Sequence, residues 1–379
     1  MKLKISFFTQ LALLCGLFVG PWVWAQTPKA PTPPKVRYAK GFSLHLKAGY
    51  TLLEVHQPWP GAQHSYRYIL LPRGQQAPAA YRDWTPIQVP LRRVIATSTT
   101  HLPSIETLGQ APTLVGFPNT DYISSPALRR RIDQGLVADV GHNRQLNIEK
   151  LMALQPDALI GYGVEGETPG LQLLRNRGIP IVFNGDWIEQ DPLGKAEWLL
   201  FFGALYQQLD AAQQQFSRIE KAYLSIKKSA QACRRQPLVL AGSMWEGVWY
   251  APYANSWAGA MLRDAGCRYV WGQEQGEGSL ALSIEKVLPW GEKAEVWLAS
   301  TDATRLTTLQ AQCPHSKRFK AFRQRKVYSF SRRKGAKGGV WFYELGPNRP
   351  DLVLKDLVKI THPELFPGYK PYFYSALQP

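Results

Sequence analysis

The feature that most constrains this chain is a pattern of short strands and helices that occurs twice, once on each side of a long uninterrupted helical stretch. After Arg92, VIATSTT reads as a buried strand, HLPSIETLG as a helix and TLVGF as a second strand; NIEKLMAL, PDALIGYG, TPGLQLLRNRG and IPIVFNG continue the alternation. Strands alternating with helices predict an α/β layer with a mainly parallel sheet. The second half repeats the order. PLVLAGS (237–243) corresponds to RVIATST (93–99), MLRDAGCRYVWG (261–272) to IETLGQAPTLVG (105–116), and LSIEKV (282–287) to LNIEKL (146–151). Each hexad is followed by an acidic residue and a strand, with Asp157 in one half and Glu295 in the other. Three matches in the same order point to a diverged duplication, and so to two lobes of one architecture.

Between the halves lies DAAQQQFSRIEKAYLSIKKSAQA, with Phe216, Ile219, Tyr223 and Ile226 at helical spacing and no proline or glycine. At about 1.5 Å per residue it runs roughly 35 Å. Such a helix either bridges two lobes or lies on the surface of one; the duplication favours a bridge at 210–233. The expected lobes are 91–209 and 234–379, preceded by a β extension at 38–90 whose short alternating runs suggest hairpin connections. The expected fold class is therefore α/β: two lobes with mainly parallel sheets joined by a single long interlobe helix, with an N-terminal β extension.

The chain begins with Lys2 and Lys4 before an apolar run that ends at Val23-Trp24-Ala25, as a secretory signal at 1–25 would. A membrane anchor and a lipid anchor on Cys15 are the alternatives; the run is too short and broken for a spanning helix. TPKAPTPPK opens a proline-stiffened linker at 26–37. A periplasmic location follows. Cys233, Cys267 and Cys313 would then meet an oxidising compartment, and Cys267 with Cys313 is the favoured disulfide because both fall in one lobe.

The formal charge of +17 draws the chain toward anionic ligands, acidic membranes or nucleic acid. Export, and the lack of zinc-ligand spacing or a helix-turn-helix signature, speak against nucleic acid. Catalysis has no candidate residue: G-x-S-x-G, H-E-x-x-H, P-loop and C-x-x-C patterns are missing, and the seven histidines are scattered. No metal site and no cofactor are expected, since His101 and His142 alone would not make a zinc site.

In parallel sheets the loops after the strands face the ligand crevice. In the first half those loops hold Thr99, Thr100 and His101, then Tyr162, then Trp187. The second half offers Trp245, Trp249, Tyr250 and Asn255 in SMWEGVWYAPYANSW, and Arg332, Arg333 and Trp341 around SRRKGAKGG. Aromatic surfaces hold large planar ligands, and clustered cations hold anionic chelates. Each tryptophan reads equally well as core, and the basic run as a solvated loop.

Through RVIATSTTHLPSIETLG, DVGHNRQLNIEKLMALQPDALIGYG and the long helix, the chain resembles the iron-siderophore and cobalamin family of substrate-binding proteins of ABC importers, over roughly residues 91 to 360. YAKGFSLHL, NSW and RPDLVLKDLVKITHPEL are similar to a subgroup of iron-complex receptors with an N-terminal β extension. The resemblance implies a monomer that binds a metal chelate between its lobes, closes little, and delivers the ligand to an ABC permease dimer in the inner membrane. A ferric siderophore is the first expectation and cobalamin or haem the alternative; an exported α/β enzyme or a sensor would be readings of other classes. The resemblance also implies that Glu149 and Glu285 dock onto permease arginines. From the residues alone both are acids in a first helical turn, after the candidate N-caps Asn147 and Ser283.

Overall fold

The computed structural model describes residues 35–164 and 166–379. The expected signal at 1–25, Cys15 and most of the linker at 26–37 lie outside the described residues. Four strands, Phe42–Lys47 (β1), Tyr50–Val55 (β2), Tyr66–Pro72 (β3) and Thr85–Val89 (β4), make one sheet in that order. The first three run antiparallel, but β3 and β4 pair parallel where a hairpin was expected. The connection from Arg73 to Trp84 is long enough to return the chain to the starting edge, as parallel pairing requires. Side chains alternate across the sheet: Leu53, Val55, Tyr68 and Leu70 join the main core, and Leu52, Ile69 and Leu71 form a smaller cluster on the other face. Two carboxylates strap the segment before β1 to the body. Glu197 accepts from the N–H groups of Arg37, Tyr38 and Ala39, and Glu189 from those of Lys40 and Gly41 and from the Trp198 indole.

Seven strands follow in the N-terminal lobe: Val94–Ala96 (β5), Leu114–Phe117 (β6), Ala138–Asp139 (β7), the small hairpin Gly141–His142 (β8) and Gln145–Leu146 (β9), Ala158–Gly161 (β10) and Ile181–Phe183 (β11). The main sheet has the order β11-β10-β5-β6-β7 and is parallel throughout. The C-terminal lobe has Leu238–Ala241 (β12), Ser243–Trp245 (β13), Val248–Pro252 (β14), Arg268–Tyr269 (β15), Ser279–Leu282 (β16), Val296–Leu298 (β17), Val327–Ser329 (β18) and Ser375–Ala376 (β19). Its main sheet has the order β15-β12-β17-β18-β19, antiparallel only at β19.

The duplication is visible in these orders. Taking β5, β6, β10 and β11 against β12, β15, β17 and β18, each lobe places its second strand beside its first, then its third, then its fourth. The matched acids do matched work. Asp157 accepts from the N–H groups of Arg92 (2.6 Å) and Arg93 (3.0 Å) just before β5, and Glu295 from that of Leu238 (3.3 Å) as β12 begins. Each also pairs with an arginine, Arg73 or Arg235.

The long helix spans Leu209–Gln231. Its first half lies on the N-terminal lobe, where Ala212 packs against Gly203 and Phe216 meets Tyr38 edge-on. Its second half lies on the other lobe, where the Tyr223 hydroxyl donates to Asp264 (2.7 Å) and Lys227 pairs with the same carboxylate (3.0 Å). The two main sheets remain separate, and one continuous apolar core runs beneath both.

The expected Cys267–Cys313 disulfide is not formed; both are free thiols. Cys267 precedes β15 at one edge of the sheet, whereas Cys313 ends the helix Leu306–Gln312 between β17 and β18, so two strands separate them at about 4.8 Å each. Burial pushes the Cys267 thiol up to about 12 and raises that of Cys313, which keeps both protonated.

Candidate functional site

Because the N-terminal sheet is parallel, the loops after β5, β6, β10 and β11 leave from one edge. There Asn143, Arg144, Tyr162, Glu167 and Thr168 line a cavity of about 430 Å³. The Asn143 amide donates to the Tyr162 hydroxyl (3.1 Å) and to the Thr97 carbonyl (3.1 Å), which ties the β8–β9 hairpin to the ends of β5 and β10. Trp187 donates its indole N–H to the Gly163 carbonyl (3.1 Å) and leaves its ring partly exposed. The N-terminal extension supports this edge, since Trp59 packs edge-on against Phe183 and Tyr66.

Thr99 and Thr100 are half-buried on the same edge, in a 3-10 turn capped by the Ser98 hydroxyl. That turn carries His101 inward, away from the ligand surface on which it was expected: the imidazole is wholly buried beside Phe202. Burial lowers it to about 4, so it is neutral at physiological pH.

In the C-terminal lobe the segment read as an aromatic loop is a hairpin. Glu246 and Gly247 both take positive φ (46° and 81°), the two-residue turn that suits the strand twist, and β14 then pairs with β16. The pleat sorts the aromatics. Trp245 and Tyr250 point outward and are exposed, while Trp249 points inward. Trp249 is therefore corrected to core: its ring packs on Trp297 and Phe319, and its indole N–H donates to Ala241 (3.3 Å).

A second cavity, of about 240 Å³, opens where β12, β17 and β18 end and is lined chiefly by Trp257, Met261, Phe330, Phe342, Tyr343 and Tyr374. Phe342 and Tyr343 directly follow Trp341 after the basic loop, where ligand-facing aromatics were expected, whereas Trp257, Met261, Phe330 and Tyr374 are brought to the cavity only by the fold. Asn255 does not join them. It accepts from the Gly276 N–H (3.1 Å) and lines a separate polar cavity with Gln236, Arg263 and Arg268.

The basic loop of the C-terminal lobe comes up against the other lobe. A Cβ on Gly335 would lie 2.6 Å from Ser124 Cα and one on Gly339 2.2 Å from the Tyr122 carbonyl, so only glycine allows this approach. Arg332 is exposed. Arg333 is held over Tyr372 (3.9 Å) and Trp341 (5.0 Å), so its guanidinium and the Trp341 ring are engaged with each other. Behind the loop, Glu344 accepts from the N–H groups of Ser124 (2.6 Å) and Ser125 (3.0 Å) across the lobe boundary. Asn348 completes the clasp, accepting from the Ser104 hydroxyl and donating to the Thr100 carbonyl (both 2.8 Å).

Glu149 and Glu285 are both exposed in the first turn of their helices, Ile148–Ala153 and Ile284–Gly291. Asn147 caps its helix by accepting from the Lys150 N–H (2.9 Å); the Ser283 hydroxyl holds the N-cap position without accepting from a backbone N–H of its helix. The Glu285 carboxyl is held below its usual range by its own backbone N–H and the Ser283 hydroxyl. The two acids thus occupy equivalent places on two lobes of the same build.

Two duplicated α/β lobes on one bridging helix, with cavities at the edges where their strands end, define the class of two-lobed extracytoplasmic binding proteins. A family model described as periplasmic binding protein matches residues 94–333, and the chain belongs to that family. Members of this class bind rather than transform. An uncharacterised lipoprotein of Methanocaldococcus jannaschii is 26% identical over 298 residues, covering 76% of this chain and 69% of its own. Among solved structures, a periplasmic haem-binding protein from Pseudomonas aeruginosa superposes with a TM-score of 0.55 at 20% identity, covering 76% of this chain and 99% of its own. A siderophore-binding protein of Vibrio cholerae bound to Fe3+-Desferal gives 0.52 at 19% identity, covering 71% and 99%. At these identities the superpositions establish the fold. No helix among the described residues is long and apolar enough to cross a membrane.

Proposed function

We propose that this protein is the substrate-binding component of an ABC importer, acting outside the cytoplasm as a monomer that holds an iron chelate between its lobes and delivers it to a permease dimer. The observation that carries this reading is the pair of cavities at the strand ends of two clasped lobes, with the exposed ring of Tyr343 lining one and that of Trp187 held against Gly163 at the other, while Trp245 and Tyr250 present further exposed rings on the C-terminal lobe. Rings supply wide apolar contact, and Arg144 and Arg332 supply positive charge without a carboxylate partner in hydrogen-bond reach among the described residues. A ferric siderophore fits that mixture. Haem is the second reading, favoured by the phenols of Tyr162 and Tyr250, since a phenolate can ligate iron. The lipoprotein name of the relative keeps an anchor on Cys15 as the alternative to release after Ala25.

Tryptophan-fluorescence titration with ferric siderophores, haem and cobalamin tests the proposal. Saturable quenching by a ferric siderophore is expected, with Trp187→Ala and Trp245→Ala each weakening it about tenfold, near the ~1.4 kcal/mol of a lost aromatic contact. A haem-specific absorbance change would favour the second reading, and no binding by any of the three would overturn both. Glu149→Ala combined with Glu285→Ala should leave affinity unchanged while cellular uptake falls. Normal uptake in that double variant would remove the docking role.

A further inference from the structure

We propose that Cys233, His362 and Glu364 form a zinc-binding site where the long helix ends, at the edge of the C-terminal lobe from which β12 and β15 start, opposite the cleft loops. Two helices stop here. Cys233 follows the last turn of Leu209–Gln231, with its N–H donating to the Ala230 carbonyl (3.2 Å). His362 ends Pro350–Thr361, with its N–H donating to the Val358 carbonyl (2.7 Å). Both helices therefore direct the negative ends of their dipoles at one place.

One donor atom from each of Cys233, His362 and Glu364 lies within 4.8 Å of the others, and His362 Nδ1 is 3.8 Å from Glu364 Oε1. An independent observation points to a ligand. His362 is 0% exposed, yet neither ring nitrogen has a hydrogen-bond partner. A neutral imidazole carries one donor and one acceptor, and burying both unmatched is costly. Backbone closes one side, since a Cβ on Gly266 would lie 3.3 Å from Nε2. Nδ1 is left facing the carboxylate. His101 is also buried without partners, but no thiol and carboxylate gather around it among the described residues.

Sulfur, imidazole nitrogen and carboxylate oxygen are the donors zinc takes, whereas calcium and magnesium take oxygen. Bonds of about 2.0–2.3 Å place tetrahedral donors about 3.5 Å apart, so the three must close by roughly 1 Å. Half-buried Cys233 and exposed Glu364 can do this by side-chain rotation around the fixed imidazole. Water takes the fourth position, and the thiol releases its proton as the metal binds. Zinc there pins the end of the bridging helix to the last long helix of the lobe. These ligands match no spacing motif, because Cys233 is far along the chain from His362 and Glu364 and only the fold brings them together.

The test uses the mature, untagged chain, reduced and stripped with chelator, titrated with Zn2+ alone against a chromophoric competitor and separately with Co2+. One equivalent is expected, with a thiolate-to-cobalt charge-transfer band that Cys233→Ser abolishes. Losing a direct ligand should weaken Zn2+ binding by more than the roughly 10–100-fold typical of second-shell losses. Glu364→Gln should weaken it while retaining the band. Zn2+ should also raise the melting temperature of the wild type and not of Cys233→Ser. No uptake, or equal uptake by wild type and Cys233→Ser, overturns the proposal. Both altered side chains reach the surface, so the variants keep the fold, and cleft ligands play no part in the readout.

Discussion

Asp356→Ala is expected to lower the melting temperature by roughly 10 °C or more, the largest stability loss we anticipate from one side chain outside the apolar core. Asp356 is 0% exposed. One of its oxygens accepts from the Tyr369 hydroxyl (2.7 Å) and the Tyr372 N–H (2.7 Å), and the other from the N–H groups of Phe373 (2.6 Å) and Tyr374 (3.1 Å). Truncation leaves three backbone donors and a phenol without their acceptor, at about 1–3 kcal/mol each before any water enters. The loss also reaches function. Tyr374 lines the apolar cavity and Tyr372 carries the Arg333 guanidinium, so the same variant should bind ligand more weakly. Asp356→Asn keeps one acceptor oxygen and should cost less. Thermal melts of the two variants decide the matter: if Asp356→Ala unfolds within a degree or two of wild type, the clamp contributes nothing.

The contribution of Glu344 to stability should fall as pH rises from about 4.5 toward 7, against the opposite contribution of buried, neutral His101, which grows between about 4 and 6.5. Burial first, and the nearby Glu106 carboxyl as a like charge, push the Glu344 carboxyl from its ordinary 4.5 up to about 7. Burial raises Glu106 as well. Between those two values the folded chain still holds the proton that the unfolded chain has released. The favourable contribution is therefore complete below the unfolded value and is lost as pH climbs through the folded one. The gap corresponds to about 3 kcal/mol. Glu344→Gln should leave the His101 contribution unopposed, so that the melting temperature climbs more steeply with pH across that range than in wild type; an unchanged slope would place the titrating group elsewhere.

Much of the architecture is legible in the sequence. The alternation after Arg92 yields the observed strands, and the matches of PLVLAGS with RVIATST and of LSIEKV with LNIEKL fall on equivalent strands and helices of two sheets with one strand order. The long helix was readable because nothing in it breaks a helix. The candidate site was less legible. Placement on loops identified Tyr162, Trp187, Trp245 and Tyr250 as exposed or cavity-lining, but misplaced Trp249 and His101. The turn Glu246-Gly247 was the available signal for Trp249: read as a hairpin, it sets Tyr250 outward and Trp249 inward.

Local pattern by itself settled the order of elements, the duplication and the bridging helix, because helical spacing, strand alternation and turn chemistry act over a few residues. Only tertiary structure decided which ring faces the core, that Arg333 lies over Trp341 and Tyr372, that Cys267 and Cys313 stay free thiols, and that Cys233 meets His362 and Glu364. Those outcomes depend on how remote segments come to rest against each other. That arrangement is selected by the shared burial of the whole chain, which no short window of residues encodes.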